Sequence, residues 1–329
     1  MEQVRSPLAA RNIAPGLKSC VIHAHGSWKD AIAKGKHDFF TKLEHKLGRR
    51  GVSCYLVDGD GRTAKSLIDE HHLHIIVGGP ARFGPTILHA FPTYIWGFWY
   101  LDEVGAGWES SLRFARFPRG DVDREEADFF FNGVTSYMQL KNVSKLPQPA
   151  RARDGLPPAS SVIFAQNIEA LPNRSHYIST SDMIRCCATT HPDEITYVKA
   201  HPLSDKAHRI RLTELCNAYP NVKLVDASVH DLIAAARVTV TQNSSAGFEA
   251  LMQCKPVITC AKSDYWHATL TPRSTSDLVA ALEHGPAAMA DFDFGGYLHW
   301  FLAQSCLEPA KEEFESRAWA RISDKLMLD

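Results

Sequence analysis

Short runs of apolar, often β-branched residues alternate along the chain with longer stretches of helical periodicity, and that alternation predicts the elements. Ser19 to His23 reads as a strand, followed by a Gly/Ser turn and an amphipathic helix from about Trp28 to Arg49. A second strand, Val52 to Val57, stops at Asp58-Gly59-Asp60-Gly61, and helical residues 63–70 lead to a third, His74 to Val77, ended by Gly78-Gly79-Pro80. Strand, helix and strand at this spacing predict βαβ units and a parallel sheet. Residues 144–160, rich in proline, small residues and charge, read as a linker. The pattern then restarts, with strands at Ser161–Ala165, Ile195–Lys199, Val222–Val225, Val238–Thr241 and Pro256–Ala261. Helices are expected between them near Ser181–Thr189, Asp205–Ala218, His230–Ala236 and Ala246–Gln253, with another at Ser276–His284 and a helical tail from Gly296 to Leu326.

The expected architecture is therefore α/β, with two Rossmann-like domains facing a central cleft, residues 1–150 and 151–329, and the tail packing back across the first. A length of 329 residues suits two such domains. Composition narrows the function classes. At 45% hydrophobic and 22% charged residues with a formal net charge of -1, the chain is an ordinary globular protein and lacks the strongly basic domain of a nucleic-acid binder. The densest apolar stretch, Phe91 to Leu101, is broken by Pro92 and Gly97 and is too short to span a membrane. Pro7, Arg11 and Pro15 interrupt the N-terminus where a signal-peptide core would lie. The eight cysteines lack metal-like spacing and sit mostly in apolar runs, so buried free thiols and a cytoplasmic location are expected.

The chemistry should lie in loops beyond the carboxyl ends of the strands. Strand Val238–Thr241 ends in Gln242-Asn243-Ser244-Ser245, and a helix starts at once through Ala246-Gly247. Its free N–H groups suit an anion, Gly247 permits close backbone approach, and Glu249 could reach back to a polyol. The alternative is that Ser244 caps the helix and Glu249 completes a capping arrangement. Strand Ile195–Lys199 delivers Lys199 and His201 ahead of Pro202, a cation and an imidazole suited to a phosphate or carboxylate, or else a surface lysine beside a satisfied histidine. His23 and His25 end the first strand and point to an acceptor-side contact. His71, His72 and His74 would splay their rings, and Asp58 to Gly61 lacks the distal glutamate of a calcium loop, so no metal is expected.

Three segments in order, Ser161-Val-Ile-Phe-Ala-Gln166-Asn-Ile-Glu169, Lys199-Ala-His201-Pro202 and Asn243-Ser-Ser-Ala-Gly-Phe-Glu249-Ala-Leu251 with Lys255-Pro256-Val257, resemble the motifs of the capsule-polysaccharide synthesis family. That family includes bacterial β-Kdo transferases of GT-B type, which use CMP-Kdo. The resemblance covers about residues 160–272. It implies a glycosyltransferase that moves Kdo from CMP-Kdo onto a bacterial surface or capsular polysaccharide or glycolipid acceptor, without a cofactor. Gln166, Lys199, His201, Gln242, Asn243, Ser244, Ser245, Gly247 and Glu249 would hold the donor. Asp102 or Glu103, in a turn similar to the family's acidic-Gly turn, would take the acceptor proton. The family's aspartate after the strand-Gln motif is missing, and Glu169 stands in its place. A UDP- or GDP-sugar donor, or a silent polysaccharide-binding homologue, are the alternatives. The resemblance is compatible with peripheral association with a membrane polysaccharide-synthesis complex at the inner face of the membrane.

Overall fold

A computed structural model describes residues 1–13, 18–68, 71–173 and 175–326. The chain forms two compact units, Met1–Phe114 with Leu302–Asp329, and Ala115–Phe301.

The first unit contains β1 (Glu2–Gln3), α1 (Pro7–Ala10), β2 (Ser19–Ala24), α2 (Gly26–Ala33), α3 (Asp38–Arg49), β3 (Ser53–Asp58), α4 (Arg62–Leu67), β4 (Leu73–Val77), β5 (Ile87–Pro92) and β6 (Trp99–Asp102). Its sheet runs β1-β3-β2-β4-β5-β6, parallel except for the antiparallel pair β5/β6. Every residue of β2 is buried, as expected of a central parallel strand covered on both faces. Its side chains alternate: Cys20, Ile22 and Ala24 join a core with Phe39, Phe40, Leu43 and Leu47 of α3, while Val21 joins Val57, Ala64 and Leu67 on the other side. The tail returns to this unit. Trp99 and Leu307 exchange backbone hydrogen bonds, and Phe314, Ala318 and Ile322 enter the α3 core at four-residue spacing.

The helix expected from Trp28 to Arg49 is two helices. Gly35, at φ +65°, adopts a left-handed conformation between α2 and α3 and ends the first. The expected helix 63–70 is α4, and residues 69–70 lie outside the described residues. The aromatic run from Phe91 supplies β5, β6 and core residues such as Trp99, which stacks on Phe39 at 4.7 Å between centroids.

The second unit comprises α5 (Arg124–Leu140), β7 (Ala159–Ala165), α6 (Thr180–Thr190), β8 (Thr196–Ala200), α7 (Lys206–Asn217), β9 (Val222–Leu224), α8 (Val229–Ala235), β10 (Ala236–Thr241), α9 (Ser245–Leu251), β11 (Val257–Thr259), α10 (Thr275–Ala288) and α11 (Phe294–Leu298). All five strands are parallel, in the order β11-β10-β7-β8-β9. Ile163, Val198, Val240 and Ile258 pack against Met183 and Ile184 of α6 and Leu278 and Leu282 of α10. Ser179, Asp205 and Ser274 each accept from a backbone N–H in the first turn of the helix they precede, as caps do. The tail's remaining helix, α12 (Phe314–Leu326), belongs to the first unit.

The units do not divide at residue 150. Residues 142–152 are irregular but fastened to the second unit: Ser228 Oγ donates to Asn142 Oδ1 (2.6 Å), Val229 N to Gln148 Oε1 (3.1 Å) and Ala152 N to Asp231 Oδ2 (2.7 Å). Arg151 pairs with the buried Asp231 as well. A chain held by this many polar contacts is part of the body it touches, and α5 packs on α11 of the same unit. The cysteines are free, six of the eight being buried. Among the described residues no helix is long and apolar enough to cross a membrane.

Candidate functional site

In the second unit the chain moves from β7 outward to β8 and β9, then returns to β10 and β11 on the opposite side of β7. The reversal leaves a crevice beyond the carboxyl ends of β7 and β10, where open α/β sheets bind ligands. Gln166 and Asn243 meet there. Asn243 N donates to Gln166 Oε1 (2.9 Å), Gln166 Nε2 donates to Asn243 Oδ1 (3.3 Å), and Asn243 Nδ2 donates to the Lys262 carbonyl (2.9 Å). The amides thus brace three loops against one another.

Glu169 follows in the same loop. Its Oε1 accepts from Thr180 N (2.6 Å), Thr180 Oγ1 (2.7 Å) and Gln242 Nε2 (3.0 Å), so one carboxylate oxygen is fixed against the first residue of α6. The residue is exposed, and no hydrogen bond among the described residues reaches Oε2. Gln242 is fully buried, and among the described residues its Oε1 has no partner. Thr180 carries no sequence signal for this role, because a bond across eleven residues has no local pattern.

His201 sits just beyond β8, its N–H bonded to the Ala165 carbonyl at 3.1 Å. Its Nδ1 accepts from Leu203 N (3.2 Å), which places the ring proton on Nε2. Burial, with Arg209 and His208 nearby, lowers its pKa, so at neutral pH it is an uncharged N–H donor. Lys199 also departs from expectation. Its side chain is buried, and Nζ donates to Asp226 Oδ1 (2.9 Å) and the Ala227 carbonyl (2.7 Å), pinning the turn after β9.

The helix-start residues divide. Ser244 caps α9 by accepting from Ala246 N (3.2 Å), and its carbonyl accepts from Tyr265 Oη (2.8 Å), so the capping alternative holds for it. Ser245, the first residue of α9, is half-buried at the same crevice. Gly247 is required by packing: a Cβ there would lie 2.8 Å from both Thr241 Cγ2 and Tyr265 Oη. Glu249 is buried. Its Oε1 accepts from Ser144 Oγ (2.8 Å), which brings the segment 142–152 over it, and among the described residues its Oε2 has no partner. Burial outweighs the bonds from Ser144 and Lys145 and pushes its pKa up to about 7.

In the first unit the acidic turn is structural. Asp102 Oδ1 accepts from Val104 N, Gly105 N and Ser111 N (2.7, 3.0 and 3.1 Å), and Oδ2 accepts from Ser111 N and Oγ (3.0 and 2.6 Å). A carboxylate so filled holds its loop and has no lone pair to spare for an acceptor hydroxyl. Glu103 pairs with Lys325 at 2.9 Å on the surface.

His23 and His25 come together. The strand order reverses between β2 and β4, and beyond their ends lies a cavity of about 410 Å³ lined by His23, His25, Asp60, Lys65, Gly79 and Arg82 among others. His23 is buried at its floor, with Nε2 3.1 Å from His74 Nδ1; burial first, then the charges of His74, Arg82 and His25, push its pKa down to about 3, leaving it neutral. His25 Nδ1 lies 3.0 Å from Asp60 Oδ2. His25, Asp58 and Asp60 bring their ligand atoms within 4.8 Å of one another, but Lys29 Nζ already sits 2.9 Å from Asp58 Oδ2 and supplies the positive charge. Asp60, Lys65 and Arg82 were not singled out from the sequence, where Asp60 reads as part of a turn.

Residues 172–290 match the family described as "Capsule polysaccharide biosynthesis protein", about a third of the chain and the part that holds β8 to β11. The resemblance read from the sequence is thus found. No curated protein matches the chain. Among solved structures, Thermosulfurimonas dismutans KpsC, a beta Kdo 2,7 transferase, is similar over 80% of this chain and 90% of its own, at 18% identity and a TM-score of 0.51. A beta Kdo 2,4 transferase structure of the same KpsC covers 79% and 89% at 17% identity and a TM-score of 0.49. The Methanocaldococcus jannaschii UDP-GlcNAc 2-epimerase covers 92% and 98% at 10% identity and a TM-score of 0.39. The first of these shows the fold: two Rossmann-like α/β domains, as expected.

Proposed function

We propose that the protein is a glycosyltransferase that moves a sugar, Kdo from CMP-Kdo, onto a bacterial surface or capsular polysaccharide acceptor. The observation that carries the reading is Glu169, an exposed carboxylate at the β7/β10 reversal with one oxygen fixed by Thr180 and Gln242 and the other unengaged. The family match over residues 172–290 and the KpsC-like fold support it. In this reading Glu169 Oε2 attacks the anomeric carbon, and the bond to the departing phosphate breaks with its electron pair going to CMP. His201 Nε2–H and the unengaged Ser245 hydroxyl donate to the phosphate as its charge grows. Lys199 positions the turn after β9. No cofactor takes part, and the acceptor is a saccharide or glycolipid, met in the cytoplasm at the inner face of the membrane.

The glutamate in place of an aspartate favours one second reading, a UDP- or GDP-sugar donor. Thermal-shift measurements decide between them, because a ligand that binds only the native state raises its stability by RT ln(1 + [L]/Kd). CMP should stabilise the protein more than UDP or GDP at matched concentration. Equal or larger shifts with UDP or GDP transfer the assignment to the second reading.

A further inference from the structure

Helix α5 of the second unit carries large apolar side chains on a face that its own unit leaves open. Ala127, Thr135 and Met138 are buried within the unit, whereas Phe129, Tyr137 and Leu140 are 82%, 60% and 82% exposed. We infer that this exposed face binds the same face of a second copy of the chain, α5 against α5, antiparallel about Gly133, in a symmetric dimer. The surface includes no donor-site residue, and the inference does not depend on the transferase reading.

Glu126, Phe129, Gly133, Tyr137 and Leu140 follow one another at three- or four-residue spacing and share one side of the helix. A solvated helix face normally carries polar side chains, and large apolar residues aligned on it mark a surface that another molecule covers. Gly133 stands midway between the two aromatics. A Cβ there would meet nothing within 4 Å, so packing inside the chain does not call for glycine, although glycine weakens a helix interior relative to alanine. A missing side chain at the centre of the face lets a second backbone approach closely. An antiparallel pairing about Gly133 is also self-complementary. It sets Phe129 of each copy opposite Tyr137 of the other, so the aromatic pair forms twice. It brings Glu126 of each copy beside Leu140 and Lys141 of the other. Glu125, Glu126 and Lys141 are exposed, and among the described residues none of them forms an ion pair. The acidic start of α5 therefore meets the basic end of its counterpart, whereas a parallel pairing would set the two acidic starts together. Charge also decides against a lipid surface, because Asp123, Glu125, Glu126 and Asp128 crowd the first turns and an anionic leaflet repels them. One helix pair makes a small contact, so association is expected in the micromolar range or weaker.

Sedimentation velocity of the full chain, from about 1 µM to 1 mM, should show a concentration-dependent equilibrium of monomer and dimer. Phe129→Ala removes one ring from each copy and should weaken association about 30-fold. Alanine is the better helix former, so the melting temperature of the dilute protein should not fall. Glu126→Lys and Lys141→Glu should each weaken association about tenfold at low salt. The double variant exchanges the two charges and keeps the pairing, so it should regain wild-type association. A wild type that stays monomeric throughout, or a dimer indifferent to Phe129→Ala, overturns the inference. A double variant that associates no better than either single one overturns the antiparallel pairing and the inference with it. Flotation with phosphatidylethanolamine–phosphatidylglycerol vesicles tests the other occupant. Protein that floats with them through Phe129 while remaining monomeric assigns the face to lipid, and the inference falls.

Discussion

At the scale of residues, the candidate site separates side chains that could meet a ligand from those consumed by the protein's own hydrogen bonding. Among the described residues, Glu169, His201 and Ser245 keep an oxygen or N–H without a bond at the crevice, whereas Asp102, Lys199, Ser244 and Gly247 serve loops and packing. Lys199 is the sharpest case, since a lysine before His-Pro at a strand end reads equally well as a phosphate ligand. Removing a buried hydrogen-bonded group typically costs about 1–3 kcal/mol, so Lys199→Ala should lower the melting temperature by roughly 2–8 °C. The loss of donor binding should be no greater than the unfolding accounts for. An unchanged melting temperature with donor binding abolished would return Lys199 to the phosphate.

Among elements, the segment 142–152 has the most unexpected position. It closes over Glu249 of α9 and is tied to α8 through Ser228, Val229, His230 and Asp231. The sign of the pH effect follows from Glu249. Its folded pKa of about 7 exceeds the ordinary 4.5, so its contribution to stability is full below pH 4.5 and is lost as pH rises through 7. Burial pushes the neighbouring Lys145 down to about 8, so stability recovers between about pH 8 and 10.5 and is lowest near pH 7 to 8. Urea unfolding at pH 5 and 7.5 should show the wild type losing about 2–3 kcal/mol relative to Glu249→Gln over that interval. Parallel behaviour of the two proteins would mean that Glu249 titrates normally and is not sealed by the segment. Little of this could be read from the sequence, because proline and charge mark a segment without helix or strand but not what it touches. The strands of the second unit were legible, since β7, β8 and β10 are short runs rich in β-branched and apolar residues, bounded by turns and almost wholly buried. Helix α5 was not, because Phe129, Tyr137 and Leu140 are exposed on it and blur the apolar period. The β5/β6 pair was hidden inside one aromatic run.

Over the whole molecule, each unit reverses its strand order beside its central strand, and the residues marked in the sequence collect there: Gln166 and Glu169 with Asn243 from a second loop in one, His23 and His25 in the other. The pairing of Gln166 with Asn243 joins positions 77 residues apart and needs the parallel order of the sheet, not any motif, to become visible. The central claim, transfer from a nucleotide sugar with Glu169 at the anomeric carbon, is tested most directly by Glu169→Gln. The amide keeps an acceptor oxygen for Thr180 and Gln242, so fold and CMP affinity should survive, while the nucleophilic, charged oxygen is gone. Turnover of CMP-Kdo and CMP affinity should be measured on the same preparations of both proteins. The expected result is a fall in turnover of about 10³-fold or more with CMP affinity within threefold of wild type. Turnover by Glu169→Gln within a few-fold of wild type would contradict the account.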